Sequence, residues 1–178
     1  SDLLKSYWLM IHVSVVTASY GFFGICAACG IASLAATAFG RNLRELRAIN
    51  EMAMIVGLAL LTAGIFFGAV WANESWGRYW GWDPKETWAL ITMFAYALAT
   101  HSRHIPRLDG PFAFDVLSVV CFSTVLMTFF GVNYYLSGLH SYGHSGGVSL
   151  TVPLIGASVV IALIAAAAGR YFKTSKKR

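Results

Sequence analysis

Five long apolar runs joined by short connectors limit what this chain can fold into. An α-helix crosses the ~30 Å hydrocarbon core of a bilayer with about 20 apolar residues, and the runs approach or exceed that length. With 12% charged residues and a mean hydropathy of +0.63, the chain is too apolar for an ordinary soluble domain, in which about a quarter of the residues are charged. The runs are Tyr7 to Phe39, Met52 to Ala72, Pro84 to Thr100, Phe112 to Leu136 and Ser149 to Gly169. We predict an all-α fold, a polytopic transmembrane helix bundle of about five spans that forms a single domain over residues 1–178.

Basic residues predict the orientation of the spans, because Lys and Arg in short connectors stay on the cytoplasmic side of a membrane. Alternating spans place ten of the thirteen basic residues on one side, which we assign to the cytoplasm together with the C-terminus. They are Arg41, Arg44, Arg47, Arg103, Arg107, Arg170, Lys173, Lys176, Lys177 and Arg178. The N-terminus and the connectors after the second and fourth runs then face outward. The net charge of +5 does not indicate nucleic-acid binding, because the charges flank spans instead of forming one patch with aromatic side chains.

The connector after the second run is dense in aromatic residues. Four tryptophans and one tyrosine fall within the thirteen residues from Trp76 to Trp88, and the other two tryptophans of this stretch are Trp80 and Trp82. Interfacial tryptophans are common in membrane proteins, but they spread over several helix ends. Their concentration in one connector indicates a platform for a large flat ligand, on an outward-facing loop over residues 73–90.

The start of the third run carries a helix-capping pattern. Asp83 suits the N-cap, Pro84 suits the first helical position, and Glu86 lies three residues after the cap, as in a capping box. We favour capping over catalysis for the two acidic residues. A cap at this position fixes the direction in which the aromatic connector leaves the helix.

Two histidines are predicted on the outward side with the aromatic connector. His12 lies in the first run, and His140 lies in the connector after the fourth run. Neutral imidazole is a common axial ligand of haem iron, and two imidazoles from separate elements could hold a macrocycle between them. Beside an indole-rich connector, these histidines predict a haem site.

The length of the first run predicts where His12 lies relative to the outer membrane interface. As one helix, its roughly 33 residues would measure about 50 Å and exceed the bilayer core by about 20 Å. Arg41 pins the inner end, so His12 is expected near or above the outer interface. Bending or close helix contact at Gly21, Gly24 or Gly30 is the alternative, and it would draw His12 into the membrane.

His101 cannot belong to the same haem site. It follows Asp83 by eighteen residues, which corresponds to a separation of about 27 Å along a continuous helix. His101 is therefore either an interfacial cytoplasmic residue or a ligand of a second haem, whose other ligand this chain does not supply.

The cysteines do not predict redox or attachment chemistry. Cys26 and Cys29 have C-x-x-C spacing, but they lie inside an apolar run and are followed by Gly30 instead of the histidine of a haem-attachment motif. We interpret them, and Cys121, as small buried side chains without disulfides.

The chain resembles a known family at three places in the expected order and at a fourth segment. The stretch Trp76-Gly-Arg-Tyr-Trp-Gly-Trp-Asp-Pro-Lys-Glu-Thr-Trp88 resembles the WWD motif of haem-handling proteins, in the CcsA or ResC branch of the system II cytochrome c synthases. Trp8-Leu-Met-Ile-His12-Val and Gly138-Leu-His140-Ser-Tyr resemble the segments that hold the external histidines of that family, and Thr100-His101-Ser-Arg103 is similar to its membrane-embedded ligand segment. Family members usually carry more spans upstream, so we expect this chain to correspond to a C-terminal portion.

The resemblance implies a haem-binding role for named residues. By analogy, His12 and His140 are axial ligands, and His101 belongs to an inner site. The platform is formed by Trp76, Trp80, Trp82, Trp88 and Asp83, and either Arg78 or Lys85 pairs with a haem propionate. Haem b bound there would be presented to the C-x-x-C-H segment of apocytochrome c for thioether attachment.

The resemblance also implies partners and a location. These are a CcsB- or ResB-type component, separate or fused, an apocytochrome c and thiol reductant proteins, in a bacterial inner membrane or a thylakoid. Two alternatives stay open at this point. One is a haem transporter or chaperone that serves a separate ligase, and the other is a bis-histidine cytochrome b anchor.

Overall fold

The computed structural model describes residues 6–136, 139 and 149–175, and all regular structure in those residues is helical. His140 and the last three residues, which were assigned roles from the sequence, lie outside the described residues. The helices are α1 (Tyr7–Ala38), α2 (Arg44–Trp76), α3 (Pro84–Thr100), α4 (Pro111–Tyr135) and α5 (Thr151–Ser175), with a short 3-10 turn at Ser102–His104. The predicted all-α bundle is confirmed.

Four of these helices are long and apolar enough to cross a membrane, namely α1, α2, α4 and α5. Helix α3 has 17 residues, which is about 26 Å and slightly less than the ~30 Å hydrocarbon core. Helix α2 begins at Arg44, eight residues before the apolar run at Met52. The chain is therefore a polytopic helical membrane protein, with α3 as its shortest long helix within the described residues.

Glycines set how closely the helices approach, and α1 and α2 share the largest interface. A Cβ atom at Gly57 would lie 2.8 Å from the Phe23 ring, and one at Gly64 would lie 2.6 Å from the Val16 side chain. On the other side of α1, a Cβ atom at Gly30 would lie 3.0 Å from the carbonyl oxygen of Asp115 on α4. Small residues allow this close packing between membrane helices.

Helix α4 is interrupted by a π-helical turn at Met127–Gly131. The turn places the Met127 Sδ where a side chain at Gly131 would stand, since a Cβ there would lie 2.1 Å from that sulfur atom. Single π-helical turns within α-helices are frequent at functional sites. Thr128 lies inside this turn, and its hydroxyl is within 3.1 Å of the Thr92 hydroxyl on α3.

Aromatic and sulfur-containing side chains fill the core between α1, α2, α3 and α4. Phe23 stacks on Tyr96 with ring centres 3.6 Å apart. Cys26, Cys29 and Cys121 are buried and form no disulfide with one another, as the sequence analysis predicts.

Replacing Tyr96 with phenylalanine is expected to leave the bundle as stable as before or up to about 1 kcal/mol more stable. The Tyr96 hydroxyl is fully buried and has no hydrogen-bond partner in the described part of the chain. Its removal therefore relieves a desolvated group while the stack on Phe23 remains. Thr92→Val is the contrasting variant, because Thr92 donates to the Trp88 carbonyl and contacts Thr128. Thermal unfolding in detergent should show a loss for Thr92→Val only, and a clear loss for Tyr96→Phe would contradict the expectation.

Charged residues gather at one end of the bundle, which we call the charged end. Arg47 at the start of α2 pairs with Asp115 on α4, and Arg103 after α3 pairs with Glu51 on α2. The Arg170 side chain near the end of α5 lies against Gly40 after α1. These contacts confirm that the predicted inner connectors share one end of the bundle. Its cytoplasmic location stays a prediction.

Helix α5 contacts the bundle mainly through its second half. Ala167 is its one buried residue and packs in a cluster with Leu34 of α1 and Val119 of α4. Phe112 at the start of α4 stacks on Tyr171, with ring centres 5.2 Å apart. Most of the remaining α5 surface is apolar and exposed, as expected for a helix that faces lipid.

Candidate functional site

The aromatic connector is short because helices extend into it from both sides. Helix α2 continues through Trp76 and ends at Gly77, whose φ of +70° is the left-handed conformation typical of a glycine C-cap. Helix α3 begins at Pro84, so Trp88 is helical. The irregular segment is residues 77–83, which we call the tryptophan loop. It is shorter than the predicted loop over residues 73–90.

The capping box at the start of α3 is present as predicted. The Asp83 Oδ1 accepts from the Lys85 backbone N–H at 3.0 Å, and the Glu86 Oε2 accepts from the Asp83 N–H at 3.2 Å. The same Glu86 oxygen also accepts from the Gly81 N–H at 2.8 Å. The Glu86 carboxylate therefore holds the backbone of the tryptophan loop, and the Asp83 carboxylate holds the first turn of α3.

Trp82 is the most constrained residue of the tryptophan loop. Its φ of +57° lies in the left-handed region that bulky residues rarely adopt. Its ring meets the Trp80 ring edge to face at 5.7 Å and is otherwise 69% exposed. The loop thus presents an indole outward in a conformation that the surrounding hydrogen bonds must maintain.

Arg78 lies folded against its own loop. A Cβ atom at Gly81 would lie 1.2 Å from the Arg78 Nη1, so a larger residue at position 81 would require the Arg78 side chain to move. The Arg78 guanidinium lies 5.8 Å from the centre of the Trp76 ring. Its Nη1 is buried and has no hydrogen-bond partner among the described residues.

Asp83 also contacts the connector that follows α4. Its Oδ2 accepts from the Leu139 backbone N–H at 2.7 Å, across 56 residues of sequence. Leu139 immediately precedes His140 in the sequence. Two predicted site elements, the tryptophan loop and the second outward connector, are thereby joined.

His12 is held by helix α2. Its Nδ1 lies 2.7 Å from the Gly64 carbonyl oxygen. A carbonyl oxygen only accepts, so Nδ1 carries the proton and Nε2 carries the lone pair that can bind a metal. The ring lies against Gly68, where a Cβ atom would be 2.6 Å from the His12 Cε1.

The position of His12 favours the close-contact alternative of the sequence analysis. Gly68 precedes Trp76 at the end of α2 by eight residues, or about 12 Å, so His12 lies beside α2 instead of projecting beyond the bundle. The glycines that allow this approach are on α2. Gly21 and Gly24 on α1 face open space.

A cavity of about 190 Å³ brings His12 and the tryptophan loop together. His12, Tyr79 and Trp80 line it, and Lys85 and Glu86 supply its charged groups. Its other lining residues are Leu9, Val13, Val16, Thr17, Tyr20, Ile65, Gly68, Ala69, Trp71, Ala89, Thr128 and Phe129. The cavity therefore combines an imidazole, aromatic rings and an apolar wall at the end of the bundle opposite the charged end.

Trp71 is a cavity residue that the sequence analysis did not select. It is 2% exposed, and its ring meets the Trp76 ring at 4.7 Å. The spacing in the sequence could have identified it. Gly64, Gly68 and Trp71 are four and three residues apart, so they share one face of α2.

Other predicted site residues lie outside the cavity lining. Arg78, Trp82 and Asp83 belong to the tryptophan loop, Trp76 is the last residue of α2, and Trp88 lies in the first turns of α3. His101 lies at the charged end, where its exposed ring places Nδ1 2.8 Å from the Ala97 carbonyl oxygen. The structure thus separates His101 from the cavity by the length of α3, as the spacing predicts.

These features define a polytopic helical membrane protein with an aromatic, histidine-containing site at one end of its bundle. The chain belongs to the cytochrome C assembly protein family, whose sequence profile matches residues 1–140. This finding confirms the resemblance to CcsA on which the sequence analysis drew.

Individual relatives support the assignment. The chain is 51% identical over 148 residues to the protein NrfI of Wolinella succinogenes, a match that covers 79% of this chain and 16% of NrfI. It is 38% identical over 148 residues to the cytochrome c biogenesis protein CcsA of Chlamydomonas reinhardtii, covering 79% of this chain and 42% of that protein. It is 34% identical over 188 residues to CcsA of Piper cenocladum, covering 79% of this chain and 58% of that protein. The chain therefore spans less than two thirds of each of these relatives.

Proposed function

We propose that this chain binds haem at the cavity beside the tryptophan loop and presents it, on the outer side of the membrane, for thioether attachment to apocytochrome c. One observation carries the proposal. The cavity contains His12, with its proton on Nδ1, together with Tyr79 and Trp80 of the tryptophan loop. An oriented imidazole can ligate haem iron, and the aromatic rings beside it offer an apolar surface to the macrocycle.

The chemistry of the lining fits an amphipathic planar group. Leu9, Val13, Val16 and Ile65 form an apolar wall on one side of the cavity. The cavity is smaller than the ~300–1,000 Å³ of typical small-molecule sites, so it cannot enclose a macrocycle by itself. The exposed Trp82 ring beside Trp80 extends the aromatic surface beyond the cavity.

Two basic residues fit the carboxylates of such a ligand. Among the described residues, neither Arg78 nor Lys85 forms an ion pair with a carboxylate. Lys85 donates to the Asn133 side-chain oxygen at 3.2 Å, and Arg78 lies against Gly81. We assign Arg78 and Lys85 to haem propionates, which guanidinium and ammonium groups bind through charge-assisted hydrogen bonds.

The histidines have separate roles in this proposal. His12 and His140 would hold the haem iron, and His101 would serve an inner site toward the charged end. The haem supplies the vinyl groups that form thioether bonds with two cysteine thiols of the apocytochrome. The protein orients the ligand and controls its access, acting with a CcsB- or ResB-type component, and thiol reductant proteins keep the substrate cysteines reduced.

Replacing His12 with alanine should lower the haem content of the purified protein several-fold, because one of two axial ligands is lost. Absorption spectra and total haem per protein are measured, with added imidazole as a chemical substitute for the missing side chain. His140→Ala should behave similarly. His104→Ala is the matched control, since His104 is exposed at the charged end. Unchanged haem content and spectra in both His12→Ala and His140→Ala would refute the ligand assignment.

Attachment is tested separately from binding. The chain is co-expressed with a CcsB-type component and an apocytochrome c, and covalently bound haem is scored on the denatured cytochrome. Covalent product that depends on His12 supports attachment. Retained haem without covalent product would instead support the delivery of haem to a separate ligase.

A further inference from the structure

We propose that Asp83 is a positioning residue that clamps the connector carrying His140 to the tryptophan loop, and thereby sets one haem ligand relative to the other. The effect on haem ligation rests on the proposed function. The clamp itself rests on contacts between described residues.

The clamp uses both oxygens of one buried carboxylate. Asp83 is 7% exposed. Its Oδ1 accepts from the Lys85 N–H at 3.0 Å, and its Oδ2 accepts from the Leu139 N–H at 2.7 Å. One side chain therefore fixes the start of α3 and a residue 56 positions later in the sequence.

Helix capping alone does not explain why an aspartate occupies this position. Serine, threonine and asparagine cap helices about as well, because the cap needs a single acceptor oxygen. The second oxygen is required for Leu139. A hydrogen bond from a main-chain N–H to a charged carboxylate is also stronger than a neutral one.

The clamp is anchored on both sides. The Asp83 backbone N–H is held by Glu86, which also holds the Gly81 N–H. A second polar link runs in parallel, since the Lys85 Nζ contacts Asn133 near the end of α4 at 3.2 Å. The end of α4 and the residue before His140 are thus both tied to the first turn of α3.

Loss of the clamp should leave His12 in place. Within the described residues, the His12 ring contacts Gly64 and Gly68 on α2, and neither of these contacts involves Asp83. Asp83→Ser should therefore reproduce the effect of His140→Ala while the His12 ring keeps its contacts with α2. Serine retains the cap, but its side chain is too short to serve Lys85 and Leu139 together.

Hydrogen exchange of the Leu139 amide in the intact chain tests the clamp without reference to haem. Asp83→Ser should speed this exchange by about tenfold or more, the factor that corresponds to about 1.4 kcal/mol of lost protection. Asp83→Asn, which offers one acceptor oxygen, should fall between serine and the native chain. Thr87→Val is the control for disturbance of the α3 start, because Thr87 lies one residue after Glu86 and contacts the Trp82 carbonyl only at 3.5 Å. Unchanged exchange in Asp83→Ser would overturn the clamp.

Haem spectra of the same variants test its consequence. Asp83→Ser should lower haem content several-fold, with recovery in imidazole, and the double variant Asp83→Ser/His140→Ala should show no further loss. Faster exchange with an unchanged spectrum would overturn the ligand-setting role. If the native chain bound no haem, the proposed function and this role would fail together, and the exchange data would still decide whether the clamp exists.

Discussion

Replacing Asp115 with leucine is expected to destabilise the bundle by about 3–5 kcal/mol, the usual effect of removing one partner of a buried ion pair. The Asp115 side chain is fully buried, and its oxygens accept from the Arg47 Nε at 3.0 and 2.9 Å and from Nη2 at 2.6 Å. The Arg47 side chain is 15% exposed, so water cannot replace the lost carboxylate efficiently. The leucine variant would leave a largely desolvated guanidinium.

The double variant Arg47→Met/Asp115→Leu should recover most of that loss, because replacing both charges with apolar side chains is often neutral or stabilising. A double-mutant cycle on unfolding in detergent measures the coupling. Glu51→Gln serves as the control, since the Arg103–Glu51 pair is 61% and 33% exposed and should contribute at most about 1 kcal/mol. If the single and double variants were equally unstable, the loss of stability would come from replacing these side chains and not from leaving one charge unpaired.

The sequence predicts the helices well because two physical constraints are local. A span must contain enough apolar residues to cross the bilayer, and each of the five runs corresponds to one helix. The capping pattern at Asp83 and Glu86 predicts the start of α3 correctly, because its hydrogen bonds join neighbours in the chain.

The ends of the helices were less predictable. Helix α2 starts at Arg44, within a charged stretch that the apolar run does not include. In this stretch Arg47 pairs with Asp115 on α4, and Glu51 pairs with Arg103 in the 3-10 turn after α3. Partners 68 and 52 residues away cannot be read from local hydropathy.

Part of the candidate site also depends on helix register. The charge pattern predicts that His12 and the aromatic connector lie at the same end of the bundle, and His12 and Trp80 line one cavity. The contact of His12 with the Gly64 carbonyl requires the registration of α1 against α2. The π-helical turn that brings Thr128 to the cavity likewise depends on the packing of α4 against its neighbours.

Replacing Gly68 with alanine is expected to displace the His12 ring and lower haem content several-fold. The added Cβ would lie 2.6 Å from the His12 Cε1, 2.7 Å from Nδ1 and 3.3 Å from Nε2. The ring cannot move away while Nδ1 remains 2.7 Å from the Gly64 oxygen. Either this hydrogen bond must break or α1 and α2 must separate. Such overpacking typically costs about 1–3 kcal/mol.

Haem content, absorption spectrum and recovery in imidazole report the displacement, and Gly24→Ala is the matched control because a Cβ there meets no atom within 4 Å. The control should retain native haem content. Gly68→Ala should resemble His12→Ala, although the imidazole is still present, because its orientation is what the glycine provides. A native spectrum and full haem content in Gly68→Ala would mean that His12 does not bind iron from its position against α2. A shared defect in Gly68→Ala and His12→Ala, absent from Gly24→Ala, would establish that α2 orients the ligand.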